Sequence, residues 1–197
     1  SWLQTGHAKV FQQGLLQRAL ESVRRRYLAG DRQQAYRQAT DLQRLWQPYQ
    51  TQESSGFVEY ALGFAEFLGW LGEMEYRMGD EEAGATLLRD GMRQLLEMAR
   101  QDQKTQKARH ALGLAAYRSW SLTGEPLTAE LTELLTGWRG TNAEAKGCEQ
   151  ADVGARLAWI AGDKDSARRY TSYLLQKGYF EADFTRFCRE HGLCTGE

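Results

Sequence analysis

The chain has 197 residues, of which 42% are hydrophobic and 26% are charged, as is usual for globular proteins. Its formal net charge of -1 gives no general attraction to nucleic acid or to an anionic membrane surface. Only two prolines are present, helix-forming residues dominate, and runs of valine, isoleucine and threonine are missing. The composition therefore predicts an all-α protein.

Hydrophobic residues recur at helical spacing through most of the chain. They predict nine helices over residues 8–29, 31–45, 57–78, 81–100, 105–122, 127–138, 148–161, 163–176 and 181–191. The stretch 47–56, which contains Pro48 and Gly56, is predicted to be a loop, and the stretch 139–146, which contains Gly140 and Asn142, is predicted to be a loop or the start of a helix. Helix 57–78 is apolar over most of its circumference, which is typical of a helix buried inside an assembly.

Four predicted helix ends have the same chemistry, a glycine followed at once by an acid. They are Gly30-Asp31, Gly79-Asp80, Gly124-Glu125 and Gly162-Asp163. Glycine takes the left-handed conformation that ends one helix, and the acid caps the start of the next. A small residue follows each glycine by five positions and lets the two helices approach closely: Ala35, Gly84, Ala129 and Ala167. The pattern predicts a chain of helical hairpins.

These turns, with an aromatic residue near the end of the first helix, resemble the tetratricopeptide repeat family. The resemblance rests on three units: Tyr27, Gly30-Asp31 and Ala35; Leu71-Gly72, Tyr76, Gly79-Asp80 and Ala83; and Gly154-Ala155, Trp159, Gly162-Asp163 and Ala167. It implies one domain over 1–197, a right-handed α-solenoid of about four antiparallel hairpins at 8–46, 57–101, 105–138 and 148–177, with a C-terminal capping helix at 180–191. The glycines are 49, 45 and 38 residues apart, whereas the family repeats at about 34, which favours an individually shaped groove.

The resemblance also implies a concave surface, lined by the first helix of each hairpin, that binds peptides or partner helices. We therefore expect a non-enzymatic protein–protein interaction module that binds a protein or peptide, with no nucleic acid, cofactor, metal or membrane insertion. The candidate groove residues lie on helices 57–78 and 105–122: Glu59, Tyr60, Phe64, Glu66, Phe67, Glu73 and Arg118. The three glutamates recur every seven residues as a polar stripe, which would favour a basic partner.

Two other functions fit the same features. One is a dedicated one-to-one binder, such as a bacterial immunity protein or a secretion chaperone. The other is a regulatory or sensor domain cut from a longer, membrane-anchored chain, because the sequence begins at Ser1 rather than at methionine. The odd number of cysteines favours a cytoplasmic location, with a soluble periplasmic domain as the alternative.

The C-terminal segment carries Cys188, His191 and Cys194 at steps of three residues. Together with Cys148 they could ligate zinc, which binds cysteine and histidine. Alternatively, Cys188 could form a disulfide with Cys194 or with Cys148, or all of them could be inert residues near a helix end. A nucleophile–base pair fits less well, because no orienting acid or oxyanion loop accompanies them.

Charge is unevenly distributed along the chain. Residues 1–50 contain eight basic and three acidic residues, and residues 51–97 contain three basic and ten acidic residues. Complementary neighbouring hairpins and a polar binding face are both consistent with this pattern. The basic run Arg24-Arg25-Arg26 could contact phosphates, but consecutive side chains point in different directions around a helix, and no aromatic platform accompanies them.

Overall fold

The computed structural model describes residues 2–50, 58–101, 105–139 and 147–194. Within them the regular structure is entirely helical, which confirms the all-α prediction for these residues. The helices are α1 (Trp2–Leu28), α2 (Arg32–Trp46), α3 (Val58–Met78), α4 (Glu81–Arg100), α5 (Thr105–Thr123), α6 (Ala129–Arg139), α7 (Cys148–Ile160), α8 (Lys164–Gln176) and α9 (Ala182–Glu190). A short 3-10 helix, Gln47–Tyr49, follows α2. Most of the two predicted loops, 47–56 and 139–146, lies outside the described residues.

The chain divides into two compact units, Ser1–Gln94 and Leu95–Glu197, and the division falls inside α4. In the first unit, α1 packs against α2 and α3, and α2 packs against α3. The indole ring of Trp46 stacks on the ring of Phe67 with centroids 5.6 Å apart, and its Nε1–H donates to the carbonyl oxygen of Tyr60 at 3.3 Å. These aromatic side chains join α2 to α3 across the core of the unit.

Glycines bring α3 and α4 into backbone contact in the first unit. A Cβ added to Gly84 would lie 2.4 Å from the backbone nitrogen of Tyr76, and one added to Gly91 would lie 2.9 Å from the carbonyl oxygen of Ala65. At Gly72, an added Cβ would lie 2.9 Å from the backbone nitrogen of Leu88. Because real Cβ atoms do not approach backbone this closely, α4 can occupy this position only with glycine at these sites.

The second unit is arranged around α7, which packs against α5, α6 and α8. Every α7 residue from Ala151 to Ala158 is buried. A hydrophobic cluster joins α5, α7, α8 and α9, with Tyr117, Tyr170, Phe184 and Phe187 as its largest members. A helix buried on all sides has no solvent-exposed face for polar residues, yet α7 contains Asp152 and Arg156, which lie inside this unit.

At two of the four glycine–acid turns the first helix ends as predicted, and at one of these the acid also caps the next helix. Gly30 and Gly162 have φ values of 100° and 76°. At both, the backbone N–H of the following aspartate donates to the carbonyl oxygen five residues back, at 3.1 and 2.9 Å, which is the long bond of the Schellman motif. Asp163 caps α8 by accepting from the backbone N–H of Ser166 at 3.1 Å, whereas Asp31 makes no side-chain cap bond.

The turn at Gly79 is closed in another way. Gly79 does not adopt a positive φ. Instead, the carboxylate of Glu75 on the last turns of α3 accepts from the backbone N–H of Asp80 at 3.2 Å. Asp80 does cap α4, because its Oδ1 accepts from the backbone N–H of Glu82 at 2.9 Å. The acid therefore keeps its predicted role here without the left-handed glycine.

Candidate functional site

Six of the seven predicted groove residues lie on α3, in the first unit. The three aromatic residues among them, Tyr60, Phe64 and Phe67, are buried in the core of that unit. The centroids of the Phe64 and Phe67 rings are 6.4 Å apart. These side chains hold the helices of the first unit together, so the structure places them away from any surface that a partner could contact.

The predicted glutamate stripe does not share one environment. Glu59 is exposed, Glu66 is partly buried, and Glu73 is only 1% exposed. Glu73 accepts a hydrogen bond from the hydroxyl of Tyr27 on α1 at 3.2 Å and pairs with Arg77 at 3.3 Å. The spacing correctly puts the glutamates near one face of α3, but α1 covers that face at Glu73.

The seventh predicted residue, Arg118, belongs to the second unit and is buried there. One of its guanidinium nitrogens lies 3.7 Å from the carboxylate of Asp183 on α9. Asp183 also contacts Arg156 on α7 at 3.2 Å and Arg186 on α9 at 2.7 Å. We call Arg118, Asp152, Arg156, Asp183 and Arg186 the ion network.

The centre of the ion network is the pair formed by Arg156 and Asp152, one helical turn apart on α7. The Nε of Arg156 donates to Oδ1 of Asp152 at 2.7 Å, and the hydroxyl of Tyr179 lies 3.4 Å from Oδ2. Burial raises the pKa of the Asp152 carboxyl, while the guanidinium of Arg156 opposes that rise. Because every charge here faces an opposite charge, the network can fasten α9 to α7 and α5 within this unit.

The C-terminal cysteines are joined to each other. Cys188 and Cys194 form a disulfide, and Cys148 is a partly buried free thiol. Of the alternatives that the sequence left open, the structure has the Cys188–Cys194 bridge, and the described residues contain no group of three or more potential metal ligands.

His191, inside the loop that the disulfide closes, packs among aromatic rings. Its ring stacks on that of Trp159 with centroids 4.3 Å apart, and its Nε2 lies 2.6 Å from the hydroxyl of Tyr117. Burial lowers the pKa of His191. The segment after α9 is thereby held against α5 and α7 inside the second unit.

The basic run on α1 is engaged with carboxylates. A guanidinium nitrogen of Arg24 and one of Arg25 lie 3.3 and 2.8 Å from the carboxylate of Glu21. Arg26 lies 3.4 Å from Asp31. These three arginines therefore form ion pairs within the α1–α2 hairpin.

The turn after α5 differs from the other glycine–acid turns, and a cleft lies beside it. Gly124 has a φ of 69°, but residues 124–128 continue without regular structure before α6 begins at Ala129. The hydroxyl of Thr128 accepts from the backbone N–H of Leu131 at 3.2 Å, so Thr128, rather than Glu125, caps α6. Pro126 fixes its own φ within this connection and provides no N–H.

A half-open cavity of about 330 Å³ lies among α5, this connection, α6 and the end of α7. We call it the apolar cleft; its lining residues are Trp120, Pro126, Leu127, Thr132, Leu135, Leu157, Ile160 and Ala161. Leu135 and Leu157 are buried and form its base, whereas Trp120, Leu127 and Ile160 are only partly buried. The side chains offer a hydrophobic surface and one hydroxyl, that of Thr132, so the cleft is suited to holding an apolar group.

Comparison with protein-family models, with curated proteins and with solved structures finds no match to this chain. Within the described ranges, no helix is both long and apolar enough to cross a membrane.

The sequence prediction missed both the apolar cleft and the burial of the ion network. The signal for the cleft is Pro126-Leu127 after Gly124, which shows that α5 and α6 are not joined by a tight turn. The signal for the network is the spacing of Asp152 and Arg156, four residues apart in the otherwise apolar stretch 151–158, where an ion pair can form on one face of a helix.

Proposed function

We propose that this chain is a non-enzymatic interaction module that binds a peptide or helix of a protein partner in the apolar cleft of its second unit. The observation that carries the proposal is the cleft itself, a half-open hydrophobic cavity of about 330 Å³. That volume lies at the lower end of the range of about 300–1,000 Å³ that is usual for ligand pockets, and it suits one or two large apolar side chains.

The construction of the cleft supports this use. Its base is formed by core residues of α6 and α7, so it is held by the packing of the second unit. Its rim includes the partly buried Trp120, and aromatic residues are enriched where protein interfaces derive most of their affinity. Leu127 and Ile160 would lose their remaining exposed apolar surface when a partner side chain enters, which favours binding.

The proposal includes a tetratricopeptide-like right-handed stack as the arrangement of the hairpins. The support is local: the Schellman turns at Gly30 and Gly162, each followed by a fully buried alanine, Ala35 and Ala167. A crystal structure of the chain tests the handedness directly, and a left-handed or unstacked arrangement of hairpins would contradict it.

The binding proposal can be tested by selecting peptides from a displayed library of random sequences on the folded protein. The decisive variant is Leu127→Asp, which puts a carboxylate in the mouth of the cleft, at a partly buried position where it can remain hydrated. We expect the selected peptides to lose at least about tenfold in affinity, the equivalent of about 1.4 kcal/mol. Isothermal titration calorimetry measures the change.

The matched control is Phe180→Asp, which makes the same change in charge at a residue that is 70% exposed and does not line the cleft. We expect its peptide affinities to equal those of the unmodified chain. Circular dichroism verifies that both variants keep their helices. Selection of no peptide, or equal binding to Leu127→Asp and Phe180→Asp, would overturn the proposal.

A further inference from the structure

The disulfide between Cys188 and Cys194 closes a short loop at the end of α9. Within this loop Gly192 has a φ of 65°, and the backbone N–H of Leu193 donates to the carbonyl oxygen of Cys188 at 2.8 Å. Cys188 and Leu193 are buried members of the hydrophobic cluster of the second unit. We call residues 188–194 the disulfide loop.

The disulfide loop is connected to the apolar cleft by side chains of α5. The Nε2 of His191 lies 2.6 Å from the hydroxyl of Tyr117, and the rings of Tyr117 and Trp120 have centroids 6.2 Å apart. Trp120 lines the cleft. A single side chain, that of Tyr117, therefore lies between the loop and the wall of the cleft on this path.

A second connection passes through the end of α7. The ring of His191 stacks on that of Trp159 with centroids 4.3 Å apart, and the next residue along the chain, Ile160, lines the cleft. Trp120, Trp159 and Ile160 are partly buried and pack against the hydrophobic cluster that contains Cys188. Two residues of the cleft wall thus rest on the same packed cluster as the disulfide loop.

The two cysteines of the disulfide differ in accessibility. Cys188 is fully buried and Cys194 is only partly buried, so a reductant reaches the disulfide at the Sγ of Cys194. A thiolate of a dithiol attacks this sulfur, and the Sγ of Cys188 leaves and takes up a proton. The second thiol of the reductant then breaks the mixed disulfide and releases Cys194 as a thiol. The dithiol, which becomes an intramolecular disulfide, has supplied two electrons and two protons.

We propose that the Cys188–Cys194 disulfide regulates the apolar cleft: the closed loop holds Trp120 and Ile160 in the binding arrangement, and reduction by a dithiol lowers the affinity for the partner segment. The proposal rests on the proposed function, because it describes the control of that same cleft. We call it the redox control.

The direction of the effect follows from what the cross-link does. A disulfide limits the open states of the segment that it closes, so without it the disulfide loop depends on hydrogen bonds and packing and is detached for part of the time. A cleft wall that is already in place favours binding, because the partner does not have to order it. An arrangement populated for a fraction of the time lowers the apparent affinity by that fraction.

The experiment uses a dye-labelled, cysteine-free library peptide whose binding is lost with Leu127→Asp. Fluorescence anisotropy measures its affinity for the oxidised protein and for the protein reduced with dithiothreitol, a dithiol. We expect reduction to weaken binding about three- to tenfold, as for a binding arrangement populated for about a third to a tenth of the time. Removal of the dithiol and reoxidation with oxidised glutathione should restore the original affinity. Thiol titration in denaturant should find one thiol before reduction and three afterwards.

The variant Cys194→Ser removes the cross-link at the partly buried position, so it should bind as weakly as the reduced chain with or without dithiothreitol. The matched control is Cys148→Ser, which replaces the free thiol and keeps the disulfide. We expect it to lose affinity on reduction as the unmodified chain does. Circular dichroism verifies that the helices persist in both redox states, and hydrogen exchange on reduction should rise in residues 189–194.

The outcomes separate the two proposals. Equal affinity of the oxidised and reduced protein, or tighter binding after reduction, would overturn the redox control and leave the interaction function in place. A response that persists in Cys194→Ser or disappears in Cys148→Ser would do the same, because the free thiol would then be responsible. Loss of the helices on reduction would show that the disulfide maintains the fold and does not regulate the cleft. If the library yields no peptide that depends on Leu127, both proposals fail together.

Discussion

The two units bury charge in different amounts and bring their helices together by different means. In the first unit, glycines let α3 and α4 touch through their backbones, and Glu73 pairs with Arg77, whose side chain is 37% exposed. In the second unit, a Cβ added to Gly113 would meet a side-chain atom of Val153 rather than backbone, and Asp152, Arg156 and Asp183 are all nearly inaccessible to solvent. The comparison indicates that the stability of the second unit depends on buried charge pairing more than that of the first unit does.

The largest loss of stability is expected when a charge is removed from the ion network. Arg156→Met leaves Asp152 and Asp183 buried without their central cation, and breaking a buried ion pair in this way costs about 3–5 kcal/mol. Urea denaturation should show the lower free energy of unfolding, and hydrogen exchange should locate the loss in α7 and α9.

The control for this prediction comes from the first unit. Arg77→Met also removes a cation from a buried carboxylate, but the hydroxyl of Tyr27 still donates to Glu73 and Arg77 is partly solvated. We expect a smaller cost than for Arg156→Met, about 1–3 kcal/mol, because the buried carboxylate loses one partner and keeps another. Equal losses in the two variants would show that the units do not differ in their dependence on charge.

A smaller effect is expected from adding a single methyl group where helices meet. Gly84→Ala places a Cβ 2.4 Å from the backbone nitrogen of Tyr76, and the backbone must shift to make room. Overpacking of this kind costs about 1–3 kcal/mol. In the second unit, Gly113→Ala instead meets Cγ1 of Val153, a side-chain atom, also at 2.4 Å.

The difference between backbone and side-chain contact can be isolated by a rescue experiment. Adding Val153→Ala to Gly113→Ala removes the obstructing methyl group, so the double variant should lose less stability than the two single variants combined. No comparable replacement relieves Gly84→Ala, since its obstruction is backbone. Thermal unfolding of the unmodified chain, the three single variants and the double variant measures these losses of stability. Additive losses at Gly113 and Val153 would contradict the close contact between α5 and α7.

The sequence predicted the helices well because their signals are local. Apolar spacing located all nine helices within the described residues, and the turns at Gly30 and Gly162 follow from what glycine allows at a helix end. The turn at Gly79 could not be predicted in this way. There the carboxylate of Glu75 accepts from the backbone N–H of Asp80, and the spacing of glycine and acid does not indicate this contact.

The candidate site could not be predicted in the same way, because it depends on which faces the packing covers. Tyr60 and Trp120 are both aromatic residues on apolar helices, yet Tyr60 is buried in the core and Trp120 lines a cleft. Their difference arises from contacts with residues distant in sequence. Likewise, the sequence shows that Arg156 can pair with Asp152, but only the position of α9 shows that Asp183 completes the pairing.

The smallest change in stability is expected from acidification, which protonates the histidines of the second unit. Burial is the main cause that lowers the pKa of both His110 and His191 below the ordinary value of 6.5. The unfolded chain therefore binds protons at a higher pH than the folded chain does. Between the folded and unfolded pKa values, stability rises with pH, so it should fall as the solution is acidified through 6.5 and below.

The raised pKa of Asp152 acts in the opposite direction, because a carboxyl that is more readily protonated when folded gains stability on acidification. The variant H110Q/H191Q leaves Asp152 in place and so isolates the histidine contribution. If the histidines titrate as the structure indicates, urea denaturation from pH 8 to pH 5 should show a loss of stability that is smaller in the double variant, and hydrogen exchange should place this difference in α5 and α9. An identical pH dependence in both chains would mean that neither imidazole is buried as neutral in the folded protein.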